Sequence, residues 1–211
     1  MSDYKNKKIS VSLINLKLNN IYSIYNALTD CGYRVKIIEG KVTKINSDIM
    51  IIPGVGSFPK AMDYLRKNNL DKAIEEFNYR KKPIIGICLG MQLLFNKSYE
   101  FSECKGLSLV DGEVVKIRNN EITVPIIGWH KIRLLKKNQI IKKNLNNKFF
   151  YFVHSYHCKP KNLSNILTLS KIKKFSFCSS IQKDNLIGMQ FHPEKSGLEG
   201  LKILRNIKNL V

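Results

Sequence analysis

The sequence predicts an α/β fold: an open, mostly parallel sheet flanked by helices, with additional antiparallel strands in the C-terminal half. Three observations carry that expectation. The runs DIMIIPG (48–54) and KKPIIGICLG (81–90) are apolar without alternation, as strands covered on both faces are. Segments with apolar residues three and four apart lie between such runs, which is the spacing of one helix face. The second half is denser in strand-like runs: GEVVKI, WHKIRLL, KFFYFVHSY, FSFCSSI and LIGMQFH.

Taken in order, KKISVSLI (7–14) reads as a first strand. IYSIYNALTDCGY (21–33) reads as a helix, with Ile21, Ile24, Tyr25 and Leu28 on one face and Gly32 as its stop. YRVKII and DIMIIPG follow as strands, the latter ending at Pro53-Gly54, and residues Pro59 to Arg80 hold helical patterns. KKPIIGICLG runs as a buried strand into a sharp turn, MQLLF starts the next helix, and GLEGLKILRNIKNL closes the chain as a helix. With no internal repeat or linker, residues 1–211 read as a single domain.

Composition narrows the function classes. At 44% hydrophobic and 25% charged, the 211 residues can bury a core without disulfides or metals. Met1 to Lys8 are polar, with no apolar stretch behind them, and no apolar run reaches the roughly 18 residues of a membrane span. The expectation is a cytoplasmic protein without membrane contact. Five scattered cysteines, with no Cys-x-x-Cys pair, argue against a disulfide framework or a zinc site. The net charge of +20 raises nucleic acid as a partner. However, the lysines are spread among Asn and Ile, and no aromatic-and-basic RNA signature accompanies them, so solvated faces are the preferred reading and no nucleic-acid partner is expected.

The strongest chemical signal is Gly86-Ile87-Cys88-Leu89-Gly90. A nucleophile between two glycines, after a strand and before a helix, is the nucleophile-elbow arrangement. The turn lifts the side chain clear of the sheet, and glycines fit where a Cβ would strike backbone. The following helix would point N–H groups at the sulfur, favouring thiolate and oxyanion, and the N–H of Leu89 would help hold the oxyanion. A core cysteine beside loop glycines is the competing reading.

His192-Pro193-Glu194 ends the strand LIGMQFH. In an extended chain, residues two apart point the same way, so Glu194 can orient the imidazole of His192. A base so oriented is what a thiol nucleophile needs. Pro53-Gly54-Val55-Gly56-Ser57-Phe58 is a second glycine-rich turn after a buried strand, able to supply another oxyanion donor; an ordinary strand-to-helix loop has the same appearance. A phosphate loop is excluded by the missing Gly-Lys-[Ser/Thr]. His154, His157 and Cys158 match no zinc spacing, so no metal is expected there. His130, after Trp129, reads as a structural or interface residue.

Together these residues resemble the class I (triad) glutamine amidotransferases, and within them the glutaminase subunits of imidazole glycerol phosphate synthases. The matching motifs are PGVGSFPKAM (53–62), GICLGMQLLF (86–95), GLSLVDGEV (106–114), FVHSYH (152–157) and GMQFHPEKSGLEGLKIL (188–204), in the family's order. The resemblance implies a flavodoxin-like sheet and a glutaminase that uses no cofactor. It implies Cys88 as nucleophile, His192 as base and Glu194 as orienting carboxylate. Gly54, Val55 and Leu89 would surround the oxyanion, and Gln92, Ser155 and Tyr156 would lie around bound L-glutamine. It also implies a (β/α)8-barrel synthase partner that takes the ammonia into histidine biosynthesis. Two stretches depart from the family. Asn15-Leu16-Lys17-Leu18-Asn19-Asn20 stands where it has Asp-Tyr-Gly-x-Gly-Asn, and Pro125-Ile126-Ile127-Gly128-Trp129-His130 where it has Pro-His-Met-Gly-Trp-Asn. They leave open a paralogue that feeds a related barrel, as in amidation of a surface-glycan sugar. A nucleic-acid-binding protein and a cysteine hydrolase acting without a partner are the competitors from other classes.

Overall fold

The computed structural model describes residues 8–18 and 20–211. Lys7 of the expected first strand and Asn19 of the divergent stretch lie outside them. The elements run β1 (Ser10–Ile14), α1 (Tyr22–Asp30), β2 (Arg34–Ile38), β3 (Ile49–Gly54), α2 (Phe58–Lys67), α3 (Leu70–Tyr79), β4 (Ile84–Cys88), α4 (Leu89–Leu93), β5 (Phe95–Ser98), β6 (Cys104–Lys105), β7 (Val110–Lys116), β8 (Ile126–Leu134), β9 (Phe149–His154), β10 (Tyr156–Pro160), β11 (Ile166–Ile172), β12 (Phe175–Lys183), β13 (Leu186–Met189) and α5 (Gly197–Asn206).

Nine strands form the main sheet in the order β2-β1-β3-β4-β13-β12-β11-β8-β9. The first five are parallel, and from β13 to β9 every pairing is antiparallel. The parallel part has the doubly wound order 2-1-3-4-5, with β13 taking the fifth place. Such an open sheet gathers its site beyond the carboxyl ends of the central strands.

The alternation inside β3 explains why both faces are closed. Ile49 and Ile51 pack with Ile24 and Leu28 of α1 and with Ile203 and Leu204 of α5. Met50 and Ile52 pack with Met62 and Leu65 of α2 and with Ile74 and Phe77 of α3. All four β3 side chains are fully buried, at about 1.5–3 kcal/mol of transfer free energy each. Gly32, at φ 92°, ends the turn after α1 in the left-handed region, as its position after the last apolar residue predicts.

The structure corrects the reading in three places. MQLLF does not begin a helix of ordinary length: α4 stops at Leu93, and Phe95 opens β5, which pairs with β7. The demand for that pairing overrides the helix propensity of Met91-Gln92-Leu93-Leu94. KFFYFVHSY is not one strand. It breaks at Ser155, where β9 leaves the main sheet and β10 enters a second sheet of order β10-β7-β5-β6. Strands β5, β6 and β11 are not visible as strands in the sequence; Lys97, Lys105 and Lys171 interrupt them with charge.

The glycines of the elbow are there for space. A Cβ on Gly90 would lie 1.6 Å from the Ile52 carbonyl oxygen, and one on Gly86 would lie 2.6 Å from the Gly90 carbonyl oxygen. These contacts are backbone, which cannot swing aside, so α4 sits directly on β3 and β4 only because both residues lack a side chain. Gly90→Ala is therefore expected to destabilise the protein by at least about 3 kcal/mol in urea unfolding, the range of severe overpacking. A loss below about 0.5 kcal/mol, the size of a neutral surface change, would contradict this packing.

Candidate active site

Cys88 is the last residue of β4, with φ 53° and ψ −109°. That conformation is costly for a residue with a Cβ and persists because the packed strand before it and α4 after it over-determine it. The side chain is 4% exposed and reaches a cavity of about 480 Å³. The elbow thus exists as the sequence predicts, with one change. The helix after it is short: α4 spans only five residues, too few to bring the dipole of a long helix to the sulfur.

His192 arrives on the neighbouring strand. β13 pairs in parallel with β4, Gly188 beside Gly86 and Met189 beside Ile87, so its exit carries His192 to the rim where Cys88 emerges. His192 Nδ1 and Glu194 Oε1 are 2.8 Å apart. The pair does not form in an extended chain, as the sequence reading supposed. Residues Pro193–Lys195 make a 3-10 turn, and this turn folds Glu194 back onto the ring. Burial by itself would lower the pKa of His192. The charges of Cys88 and Glu194, with hydrogen bonding to each, outweigh it and push the value up to about 10. Glu194 holds Nδ1, so Nε2 is the ring nitrogen that faces the thiol.

The turn is clasped by residues that the sequence reading missed. Ser196 Oγ donates to the His192 carbonyl at 2.6 Å and accepts from the Tyr151 N–H at 3.0 Å. The His192 N–H donates to the Tyr151 carbonyl at 2.9 Å. These bonds tie His192 to β9. Ser196 stands in the quoted KSG segment, but nothing local marks it as the clasp, because its partner Tyr151 is 45 residues away.

The remaining predicted residues converge on the same cavity. Gly54 is in register with Cys88, and Val55, Leu89, Gln92, Ser155 and Tyr156 line the cavity with the sulfur. Gly54 also lines a second, smaller cavity behind the triad, together with Val55, His192 and Glu194. Gln92 Nε2 donates to the Tyr156 carbonyl at 3.2 Å and to Gln190 Oε1 at 3.1 Å. With both amide hydrogens committed, Gln92 has only its carbonyl oxygen to offer a ligand. Glu100 was not anticipated. Its carboxylate lines the cavity and accepts the Phe58 N–H at 2.6 Å, which ties the loop after β5 to the start of α2.

His154 and His157 are buried ring neighbours of Phe177 and Phe175, with centroids 5.1 and 5.5 Å apart. Among the described residues no group of three or more His, Cys, Asp or Glu could hold a metal ion. His130 packs edge-on against Phe152 at 5.9 Å. No helix of the described residues is long and apolar enough to cross a membrane.

The fold and this constellation of thiol, imidazole and carboxylate define the protein's class. A sequence model of the family described as "Glutamine amidotransferase class-I" matches residues 12–209, and the chain belongs to that family. Within it, the chain is similar to the imidazole glycerol phosphate synthase subunit HisH of Wolinella succinogenes, with 40% identity over 93% of this chain and 97% of the relative. The subunit of the same name from Aquifex aeolicus is 38% identical over 93% and 94%. The fold is shared with solved structures. That of PurLQS from Thermotoga maritima superposes with a TM-score of 0.75 at 18% identity, covering 96% of this chain and 98% of the other. A further crystal structure of a glutamine amidotransferase superposes with 0.74 at 15% identity, covering 95% and 97%.

Two buried histidines, of which His154 lines the cavity, make the stability sensitive to acid. Burial is the main cause that holds both His154 and His157 at about 4, each below the roughly 6.5 of an unfolded chain. The unfolded state therefore binds protons that the folded state refuses. The stability they contribute is complete above about pH 6.5 and is lost as the pH falls through 4. His192, raised, acts in the opposite direction: its contribution is complete below 6.5 and is lost as the pH rises through about 10. The urea midpoint should fall between pH 6.5 and 4, and His154→Gln should reduce the fall. A midpoint unchanged over that interval would contradict the buried neutral imidazoles.

Proposed function

We propose that the protein hydrolyses L-glutamine to glutamate and ammonia through a γ-glutamyl thioester on Cys88. The observation that carries this reading is the His192–Glu194 pair at 2.8 Å beside a strained thiol in a cavity large enough for one amino acid. Glutamine would enter with its α-ammonium toward the Glu100 carboxylate and its side-chain amide toward the sulfur. Cys88 Sγ, its proton already held on His192 Nε2, attacks the amide carbon. The oxyanion forms beside the backbone N–H groups of Leu89 and of the Gly54-Val55 turn. The C–N bond breaks as His192 returns the proton to the departing nitrogen, which leaves as ammonia. Water, deprotonated by His192, then cleaves the thioester and releases glutamate. Glu194 keeps the Nδ1 proton in place and balances the imidazolium. No step draws on a cofactor.

The ammonia would pass to a (β/α)8-barrel synthase, giving imidazole glycerol phosphate and aminoimidazole carboxamide ribotide in histidine biosynthesis. The names of the relatives support the pathway, and a surface beside the cavity supports the docking. Pro125 lines the mouth, and Ile127 and Trp129, two and four residues on along β8, are 61% and 51% exposed. Exposed apolar side chains beside a site mouth fit a partner that seals it. Five unpaired cysteines fit work in the cytoplasm. The divergent residues at 15–20 and 125–130 support a second reading, a paralogue that delivers ammonia to a related barrel such as one amidating a surface-glycan sugar.

Cys88→Ala should lower glutamine-dependent glutamate release by at least about 10³-fold while ammonia-driven synthesis by the barrel partner continues. Retention of glutaminase activity would overturn the assignment. Activity of the complex with a histidine-pathway barrel, against none with a sugar-amidating one, would decide the pathway.

A further inference from the structure

The mechanism above gives the sulfur a base but leaves open what holds its charge before substrate arrives. The surroundings of Cys88 Sγ supply a candidate. Two polar groups touch it besides the imidazole: the Val153 carbonyl oxygen at 3.7 Å and the Gln190 Nε2 at 3.6 Å. A neutral thiol uses both, donating to Val153 and accepting from Gln190. A thiolate keeps only the second bond and is repelled by the carbonyl. One uncharged donor therefore faces the sulfur in its reactive form.

Which end of the Gln190 carboxamide faces the sulfur is fixed by a backbone group. The Tyr156 carbonyl can only accept, so the atom of Gln92 beside it, at 3.2 Å, is the amide nitrogen. That nitrogen donates a second time, at 3.1 Å, and its partner on Gln190 must be the oxygen. The other end of Gln190, toward Cys88, is then Nε2. The Gln190 backbone N–H is held by the Ser179 carbonyl at 2.9 Å, and the residue is fully buried. A buried carboxamide with every orientation specified in this way has little freedom to turn its oxygen to the sulfur. We propose that Gln190 is a further catalytic residue, whose side-chain N–H holds the Cys88 thiolate, and that Gln92 acts as its positioning residue through the Tyr156–Gln92–Gln190 relay.

The proposal rests on the glutaminase reading of Cys88 and goes beyond it. It joins the substrate cavity to the nucleophile. Gln92 lines the space where glutamine would lie, so a ligand that rotates Gln92 also frees the donor on the sulfur. It also gives β13 two roles, since the strand that delivers His192 delivers Gln190 two residues earlier.

Alkylation of Cys88 by iodoacetamide, whose carboxamide resembles the substrate's, tests this in the full-length chain. The rate is read by peptide mass spectrometry as a function of pH. The other ionisable groups around the sulfur, namely His192, Glu194, Cys158, His154, Glu100, Lys195, Tyr151 and Tyr156, stay unchanged in Gln190→Met. At pH 7 that variant should react about tenfold more slowly than the wild type, the size of a lost hydrogen bond to a charged group, and the gap should close at high pH where both thiols are ionised. Equal rates at pH 7, or a gap that persists at every pH, would overturn the proposal, the second because it marks mere distortion. His192→Asn is run beside it. If His192→Asn leaves the profile unchanged while Gln190→Met moves it, the triad reading fails and the donor stands. If only His192→Asn moves it, the donor fails and the triad stands. In the wild-type chain, where no variant has to fold, the side-chain amide resonance of Gln190 should shift with the same pH midpoint as the alkylation rate. A resonance indifferent to that ionisation would overturn the proposal.

Discussion

Parallel pairing of β4 with β3 on one side and β13 on the other is the constraint from which the site follows. Parallel neighbours end at the same rim. Gly54 stands beside Cys88 in the register of β3 and β4, and Met189 stands beside Ile87 in that of β4 and β13. The turn at Gly54, Cys88 and His192, more than a hundred residues apart at the extremes, are therefore brought to one rim by the pairing of the strands. Buried isoleucines on both faces of β3 and β4 hold that register, because a slip by one residue would turn Ile51 and Ile52 toward the wrong helical layers.

Local strain sits at the end of β4, between its two parallel neighbours. Cys88 sits in a backbone conformation that few residues with a side chain adopt, between a fully buried strand and a helix seated on it through Gly86 and Gly90. The rigid surroundings keep the sulfur aimed out of the sheet. His192 has a different support. His192 is held by a short 3-10 turn, by the Ser196 hydroxyl and by the Tyr151 backbone, so the imidazole stands on β9 as well as on β13. β9 is the edge strand of the main sheet, and its partner β8 carries the exposed Trp129. An apolar contact on that edge is thus one strand away from the residue that clasps the base.

What the sequence makes legible here follows from distance along the chain. Apolar runs, the two glycines around Cys88 and the pair His192 and Glu194 are local patterns, and they read correctly. Even so, the pair is made by a turn where a strand was expected, because Pro193 favours the start of a 3-10 turn as readily as an extended link. Gln190, Ser196 and Glu100 escaped because their contacts are with partners 102, 45 and 42 residues away, and a buried glutamine next to a strand has the same appearance as a surface one. The second sheet escaped for a related reason. Its strands β5 and β6 are short and carry lysines, and its strand β10 continues β9 with no glycine or proline at the Ser155 corner where the chain changes sheets. Of the features the resemblance implied, Gly54, Val55, Leu89, Gln92, Ser155 and Tyr156 all lie at the walls of the two cavities that flank the triad.

The central claim is covalent: one sulfur, at the end of one strand, carries the acyl group. Acid quenching of the complex during turnover of radiolabelled glutamine, followed by peptide mapping, tests it most directly. The account predicts label on the peptide that contains Cys88, released by hydroxylamine as a thioester is. Label on another residue, or steady turnover with no acid-stable label at any time point together with an unlabelled Cys88, would contradict it.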